Sequence, residues 1–420
     1  MGSVKDLAPK DSPGGKLFHA ASFSELGLGV WDVSGRSSVG DLKELIPPIE
    51  SKVKGVVIAT TTSLYWEHAA NAGFRSAYVG MLDPDGKIVE ASALLDRGIT
   101  SHMVVMRLAT TPHDLVRGGK ITADVRAMYH WLIESGKIFA CVADCENIFR
   151  WGFPLGSSTY KAIFEAAWKG DIYETLATYQ EIVTALDQIR AIPGILERPE
   201  MRAVLDKAGL DRIPNPGHLL KQPVISYDTK FDPGGDKHLI PEEARELMHL
   251  DPLVFQAWDA ELLRNAIDQY DWCNERGVLN IDGKTESLIL HGFPMFTDFA
   301  VTVDENRLMI KYQPTPDSPV LLIPVNKEIW RATFRLFGIY AAKDRAFHDH
   351  GDDWHQYLDQ YVSAAKIQEA TEQSTWMLEQ AIGAIGNLII GQTIFDAEPV
   401  EDWVEPFLPY ASVLQGPGAE

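Results

Sequence analysis

Cysteine is nearly absent. Three occur in 420 residues, at 141, 145 and 273, so the chain can form no disulfide framework, and Cys141-x3-Cys145 is not a usual zinc spacing. Reduced, structural thiols in a cytoplasmic protein are expected. Positive charge is also scarce: 38 Lys and Arg stand against 59 Asp and Glu, a net charge of -21. That balance opposes a nucleic-acid backbone or an anionic membrane as partner, while a small anion can still bind in a locally basic cleft. Long apolar runs are missing too. "IGAIGNLIIG" at 382–391 is too short to span a bilayer and is expected to be a buried helix. The opening "MGSVKDLAPKDSPGGK" has no apolar core of a secretory signal. No Gly-x-Ser-x-Gly elbow or His-Glu-x-x-His helix occurs, so serine hydrolase and zincin chemistry lack their signatures.

What is present fits a globular protein, with 45% apolar and 23% charged residues. The length suggests two or three domains. Residues 1–13 form a flexible lead-in, rich in Pro, Gly and charge. A mixed β lobe follows over 14–118. In it "SLYWEHAANAGF" at 63–74 has helical spacing closed by Gly73, and "DPDG" at 83–86 turns a hairpin. Amphipathic helical patterns over 119–219 indicate a large helical insertion. Residues 220–335 read as a C-terminal α/β lobe, with a long helix from about Pro252 to Arg276 and two strands in "DFAVTVDENRLMIKY" joined at 304–306. Residues 336–420 are C-terminal helices and a tail, interrupted at "HDHGDDW". The expected class is α+β.

"LNIDGKTESL" at 279–288 admits two structures. Asp282-Gly283 is a strong hairpin signal, since both turn positions need positive φ. In an extended strand, Asp282, Lys284 and Glu286 share one face, and two carboxylates around an ammonium could hold a metal-bound polyphosphate. Elsewhere, "GGK" at 14–16 could cradle a phosphate with Lys16, yet lacks P-loop spacing. His348, His350 and His355 lie among aspartates, but Asp352 or Asp353 serves equally as a helix cap. Arg107, on an apolar strand, and Arg117 could each meet an anionic ligand or a nearby carboxylate.

Taken in order, several stretches resemble the SAICAR synthetase family, the ATP-dependent ligases that join aspartate to a carboxyaminoimidazole ribonucleotide. They are "GGKLF", "GRSSVGD" at 35–41, "KGVVIATTTSLYWEHAANAGFRSAYVG", "VVMRLATTPHDLVR", "PVISYDTKFDPGGDKHLIPEEA", "ERGVLNIDGKTES" and "RLMIKYQPTPD". The likeness covers roughly 14–118 and 220–320. It implies a two-lobed fold around a nucleotide cleft, with ATP or a related nucleotide and Mg2+ as cofactors. Lys16, Ser38, Asp41, Arg107, Arg117 and Lys284 would bind nucleotide or substrate. Asp236 and Glu286 would be catalytic, and Asp282 and Glu286 would face the metal, carboxylate oxygens suiting that hard ion.

Two departures bear on the reaction. Where the family has an Asp-Glu pair before its Ser-Pro-Asp motif, this reading finds Tyr312-Gln313, and after Thr315-Pro316-Asp317 it finds no arginine. The resemblance then implies a diverged enzyme acting on a purine or imidazole ribonucleotide, in the making of a purine-related nucleoside antibiotic of the coformycin and pentostatin type, with its 1,3-diazepine ring. The alternatives are an authentic aspartate ligase and an inactive nucleotide-binding scaffold. A small-molecule nucleotide is the expected partner, and a homo-oligomer is compatible with the pattern.

Overall fold

The structure is a computed structural model describing residues 27–37, 49–109, 141–168, 178–230, 237–290, 293–326 and 328–415. Short pieces at 5–7, 128, 131–132, 135 and 176 are also described. Its strands are β1 (Lys5–Leu7), β2 (Leu28–Val33), β3 (Arg36–Ser37), β4 (Ile49–Glu50), β5 (Tyr78–Leu82), β6 (Ile88–Val89), β7 (Met103–Arg107) and β8 (Cys141–Val142). They continue with β9 (Cys145–Phe153), β10 (His218–Thr229), β11 (His238–Leu239), β12 (Val278–Leu290), β13 (Phe293–Thr297), β14 (Asn306–Tyr312), β15 (Leu321–Pro324) and β16 (Ser412–Val413). The helices used below are α1 (Lys54–Asn71), α2 (Ala91–Asp96), α3 (Ser158–Ala167), α4 (Tyr179–Arg190) and α5 (Pro199–Lys207). After them come α6 (Pro241–Leu247), α7 (Pro252–Asn274), α8 (Glu328–Leu336), α9 (Ile339–His350) and α10 (Ala364–Ile390).

Two antiparallel sheets organise these elements. One has the order β1-β2-β7-β5-β6, and the other runs β11-β10-β9-β12-β14-β15-β16 with β8 and β13 also paired to β12. Helices and sheets sharing one core make the α+β class expected above. The "DPDG" hairpin forms as read: β5 pairs with β6, Gly86 has φ 79°, and the Asp83 carboxylate accepts from the N–H groups of Asp85 and Lys87. Helix α1 stops at Gly73, whose φ of 87° a residue with a Cβ tolerates poorly. Helix α7 starts with Asp251 accepting from Leu253 N–H and Pro252 in its first turn.

The run at 382–391 is the C-terminal part of α10, buried through Ile382, Ile385 and Ile389. Gly386 is needed there, since a Cβ would lie 2.7 Å from the Phe395 ring. Cys145 and Cys273 are buried thiols outside any disulfide. Among the described residues no helix is long and apolar enough to cross a membrane.

Three expectations need correction. Lys5–Leu7, inside the stretch read as a flexible lead-in, is the strand β1, held by antiparallel pairing to β2. Cys145–Phe153, inside the stretch read as a helical insertion, is a strand in the middle of the larger sheet. Its alternation is hidden because one face carries Glu146, Ile148 and Arg150, a mixture that does not register as apolar periodicity. "DFAVTV" is not a strand either. Asp298 and Val301 have φ of 64° and 54°, so the chain turns there, and the partner of β12 is the earlier β13. Asp304-Glu305-Asn306 leads into β14 as read.

Candidate functional site

Residues 279–288 are extended, which answers the choice between turn and strand. Asp282 pairs with Arg150 and Lys284 with Ile148 in the register of β12 on β9. Against β14 the register shifts between Asn280 and Gly283, so β12 carries an extra residue there, a bulge of the sort that re-aims side chains. Gly283 is held by packing. A Cβ would lie 2.8 Å from Phe149 Cζ and closer still to Asn306 Nδ2. Gly283→Ala should therefore destabilise the fold by about 1–3 kcal/mol through overpacking. Urea unfolding measures it, and a loss below about 0.5 kcal/mol would place the substitution among neutral surface changes.

Strand alternation puts Asp282, Lys284 and Glu286 on the face that also carries Glu146, Ile148 and Arg150. Lys284 Nζ lies 3.2 Å from Glu146, 3.2 Å from Glu305 and 3.7 Å from Glu286. Glu286 is paired with Lys230 as well. Burial opposes the Lys284 charge, but Glu305, Glu146 and Glu286 together hold its pKa above lysine's usual value. Burial in turn pushes the Glu146 carboxyl above the usual carboxylate range, against the pull of Lys284. Asp282 has different neighbours. Its Oδ2 accepts from Arg150 Nε at 3.2 Å, and its Oδ1 lies 3.1 Å from Arg307 Nη1. One carboxylate between two guanidinium groups leaves a local excess of positive charge, and three carboxylates around two ammonium groups leave a local excess of negative charge. The site thus has a basic half and an acidic half.

The loop that delivers Glu305 and Arg307 is pinned by α1. Thr62 Oγ1 donates to Ala300 O at 2.8 Å, Thr61 Oγ1 to Val301 O at 3.3 Å and Trp66 Nε1 to Asp298 O at 3.2 Å. Lys54, fully buried, meets Asp304 at 2.8 Å. These bonds explain why a core helix carries "TTTS", and how Val301 is kept at a positive φ that a β-branched residue avoids. On the other side of β12, a buried amide chain runs from Asn265 through Gln269 and Asn280 to Asn306. Gln269 also donates to Thr285, next to Lys284. The strand and loop are therefore fixed from behind as well as clamped from the side.

Beside Arg150 opens a cavity of about 310 Å3 between the sheet face and helices α3 and α5. Arg150, Ser158, Thr159, Lys207, Ser226 and His238 line it, together with apolar side chains and Asp228. Ser157 caps α3 by accepting from Thr159 N–H, and Arg150 Nη1 donates to Thr159 Oγ1 at 2.9 Å. Guanidinium, hydroxyls and a helix N-terminus side by side suit a phosphate or carboxylate.

Of the residues expected from sequence, Asp282, Lys284 and Glu286 come together on one strand. Arg107 ends β7 on the other sheet, exposed. Lys16, Ser38, Asp41, Arg117 and Asp236 lie outside the described residues. Each oxygen of Asp282 is paired with one guanidinium group, Oδ2 with Arg150 and Oδ1 with Arg307. Among the described residues no cluster of three or more His, Cys, Asp or Glu is disposed to hold a metal ion.

Tyr312 ends β14 and Thr315–Asp317 is exposed, whereas the acidic pair and the arginine at the site are Asp304-Glu305 and Arg307, at the beginning of that strand. Glu146, Arg150, Lys230, Glu305 and Arg307 were not singled out from sequence. In "CENIFR" burial alternates at period two but apolar character does not, so the sequence carried little signal for this strand.

No protein-family profile matches the chain, and no curated protein does. Similar solved structures are SAICAR synthetases. The SAICAR synthase of Saccharomyces cerevisiae in complex with SAICAR shares 13% identity at a TM-score of 0.47, over 93% of this chain and 94% of its own. A Type-2 SAICAR synthetase in complex with ADP shares 10% at 0.45, over 93% and 97%. The enzyme of Pyrococcus horikoshii OT3 shares 10% at 0.43, over 87% and 94%.

Proposed function

We propose that this chain is a SAICAR-synthetase-like enzyme acting on a purine or imidazole ribonucleotide, with ATP or a related nucleotide as cosubstrate. The observation that carries this reading is the array on β12. Lys284 sits among Glu146, Glu286 and Glu305, beside an Asp282 braced by Arg150 and Arg307, next to a cavity furnished for an oxyanion. Lys284 would meet phosphate, and Arg150 and Arg307 would orient the anionic substrate. The acidic half would receive an amine or other cation. Mg2+ enters only as a variable of the test.

Within this reading, ATP-dependent ligation is favoured over a diverged reaction. The doubt from sequence was a missing acidic pair and a missing arginine, and Glu305 and Arg307 supply a carboxylate and a guanidinium at the site, with Asp304 alongside in the clamp to Lys54. In ligation a substrate carboxylate oxygen attacks the γ-phosphorus and ADP leaves. An amine nitrogen then attacks the acyl carbon, and phosphate leaves as the amide forms. A role in making the seven-membered ring of a nucleoside antibiotic rests on the sequence resemblance alone.

The test is calorimetric titration of ATP and of imidazole and purine nucleotides, with and without Mg2+, into the wild type and into Lys284→Ala. Circular dichroism checks that the variant is folded. Binding lost in a folded variant is the expected result, followed by aspartate-dependent ADP release in a turnover assay. Nucleotide affinity indifferent to Lys284 would remove the reading, and binding without any turnover would favour the inactive scaffold.

A further inference from the structure

A second cavity, of about 400 Å3, lies where α4 ends and β10 begins, and it shares no lining residue with the cavity beside Arg150. Its polar side chains are Arg190, Arg212, His218, Asn215 and Gln415. Asn215 Oδ1 accepts from Arg190 Nη2 at 2.6 Å. Arg190 Nη2 also reaches Ile213 O at 3.2 Å, and Nη1 lies 2.6 Å from Asp187, so this guanidinium is a fixed wall. The Arg212 guanidinium makes no ion pair or hydrogen bond among the described residues.

His218 is held in place by its backbone, bridged to Gln415 and paired with Phe153. Burial and then Arg212 lower its imidazole pKa, against the attraction of Asp211. Two guanidinium groups and an imidazole thus converge in a chain of net charge -21, with Leu196 and Pro214 as apolar walls.

We propose that this cavity binds a small oxyanion with an apolar body, a phosphate monoester or a carboxylate, at a site separate from the β12 array. Arg212 closes on the anion at the mouth, His218 and Gln415 donate from the floor, and Arg190 fixes the wall. The volume exceeds what a bare phosphate needs, and the apolar walls accommodate the remainder of the molecule.

The test uses the full chain with 13C-labelled histidine, the His218 ring signal being assigned by its loss in His218→Asn. Phenyl phosphate, benzoate and inorganic phosphate are the probes. Phenyl phosphate or benzoate should move the His218 signal saturably, in the direction of a more readily protonated ring, and whichever binds more tightly identifies the class of anion. Arg212→Ala should weaken that binding about tenfold, the loss of one charge-assisted contact. Lys284→Ala, confirmed as folded by circular dichroism, should leave it unchanged, which separates this site from the proposed nucleotide cleft. A shift that does not saturate, one indifferent to Arg212, or one abolished by Lys284→Ala would each overturn the proposal.

Discussion

Asp282→Ala is expected to lose roughly 3–5 kcal/mol of stability, the range found when one partner of a buried ion pair is removed. The carboxylate side chain is 4% exposed, and it is shared by Arg150 and Arg307, which are 19% and 24% exposed. Its removal leaves two guanidinium groups facing each other across the vacated space, with Arg150 still donating to Thr159. Equilibrium unfolding in urea measures the loss. Adding Arg150→Met to Asp282→Leu should recover part of it, because an apolar pair of similar volume avoids desolvating charge. A single substitution that costs less than about 1 kcal/mol would mean that the pair is no more than a surface bridge.

Lys284→Met should produce a pH-dependent defect, reaching roughly 3 kcal/mol above about pH 7. In the wild type the Lys284 pKa is raised, so its stabilising contribution is complete below lysine's unfolded value and is lost only in strong alkali. The Glu146 pKa is raised as well, so its contribution is most favourable below the unfolded carboxyl value and declines as pH climbs through the folded one. Without the ammonium, Glu146, Glu286 and Glu305 repel one another with less positive charge among them, and protonating one carboxyl relieves this. Melting temperatures of variant and wild type should therefore converge toward about pH 5 and separate toward about pH 8. A constant difference across that interval would show that the carboxylates do not sense Lys284.

The sequence was legible where one physical rule dominated. Pro252 behind Asp251 marked the start of α7, "DPDG" marked a hairpin, and the glycine-spaced apolar run at 382–391 marked a buried helix. At the site the rules conflict. Asp282-Gly283 is favourable turn chemistry, but Phe149 and Asn306 need the missing Cβ, so close packing across strands determines the outcome. β9 was missed because its site-facing residues are charged, which is what its place beside β12 requires. Glu305 was not legible because its place is set in space: the loop clamped by α1 lies beside Lys284.

That clamp has a temporal side. Thr62 reaches Ala300 across 238 residues of chain, and Arg150 reaches Asp282 across 132. At ~5–20 residues per second, a ribosome needs roughly 10–50 s after completing α1 to deliver the loop that neutralises Lys54 and accepts from Thr61 and Thr62. Throughout that interval Lys54 and the threonines rely on water for the partners that the loop later supplies. The packing of α1 is therefore completed only after residues 298–304 have been made.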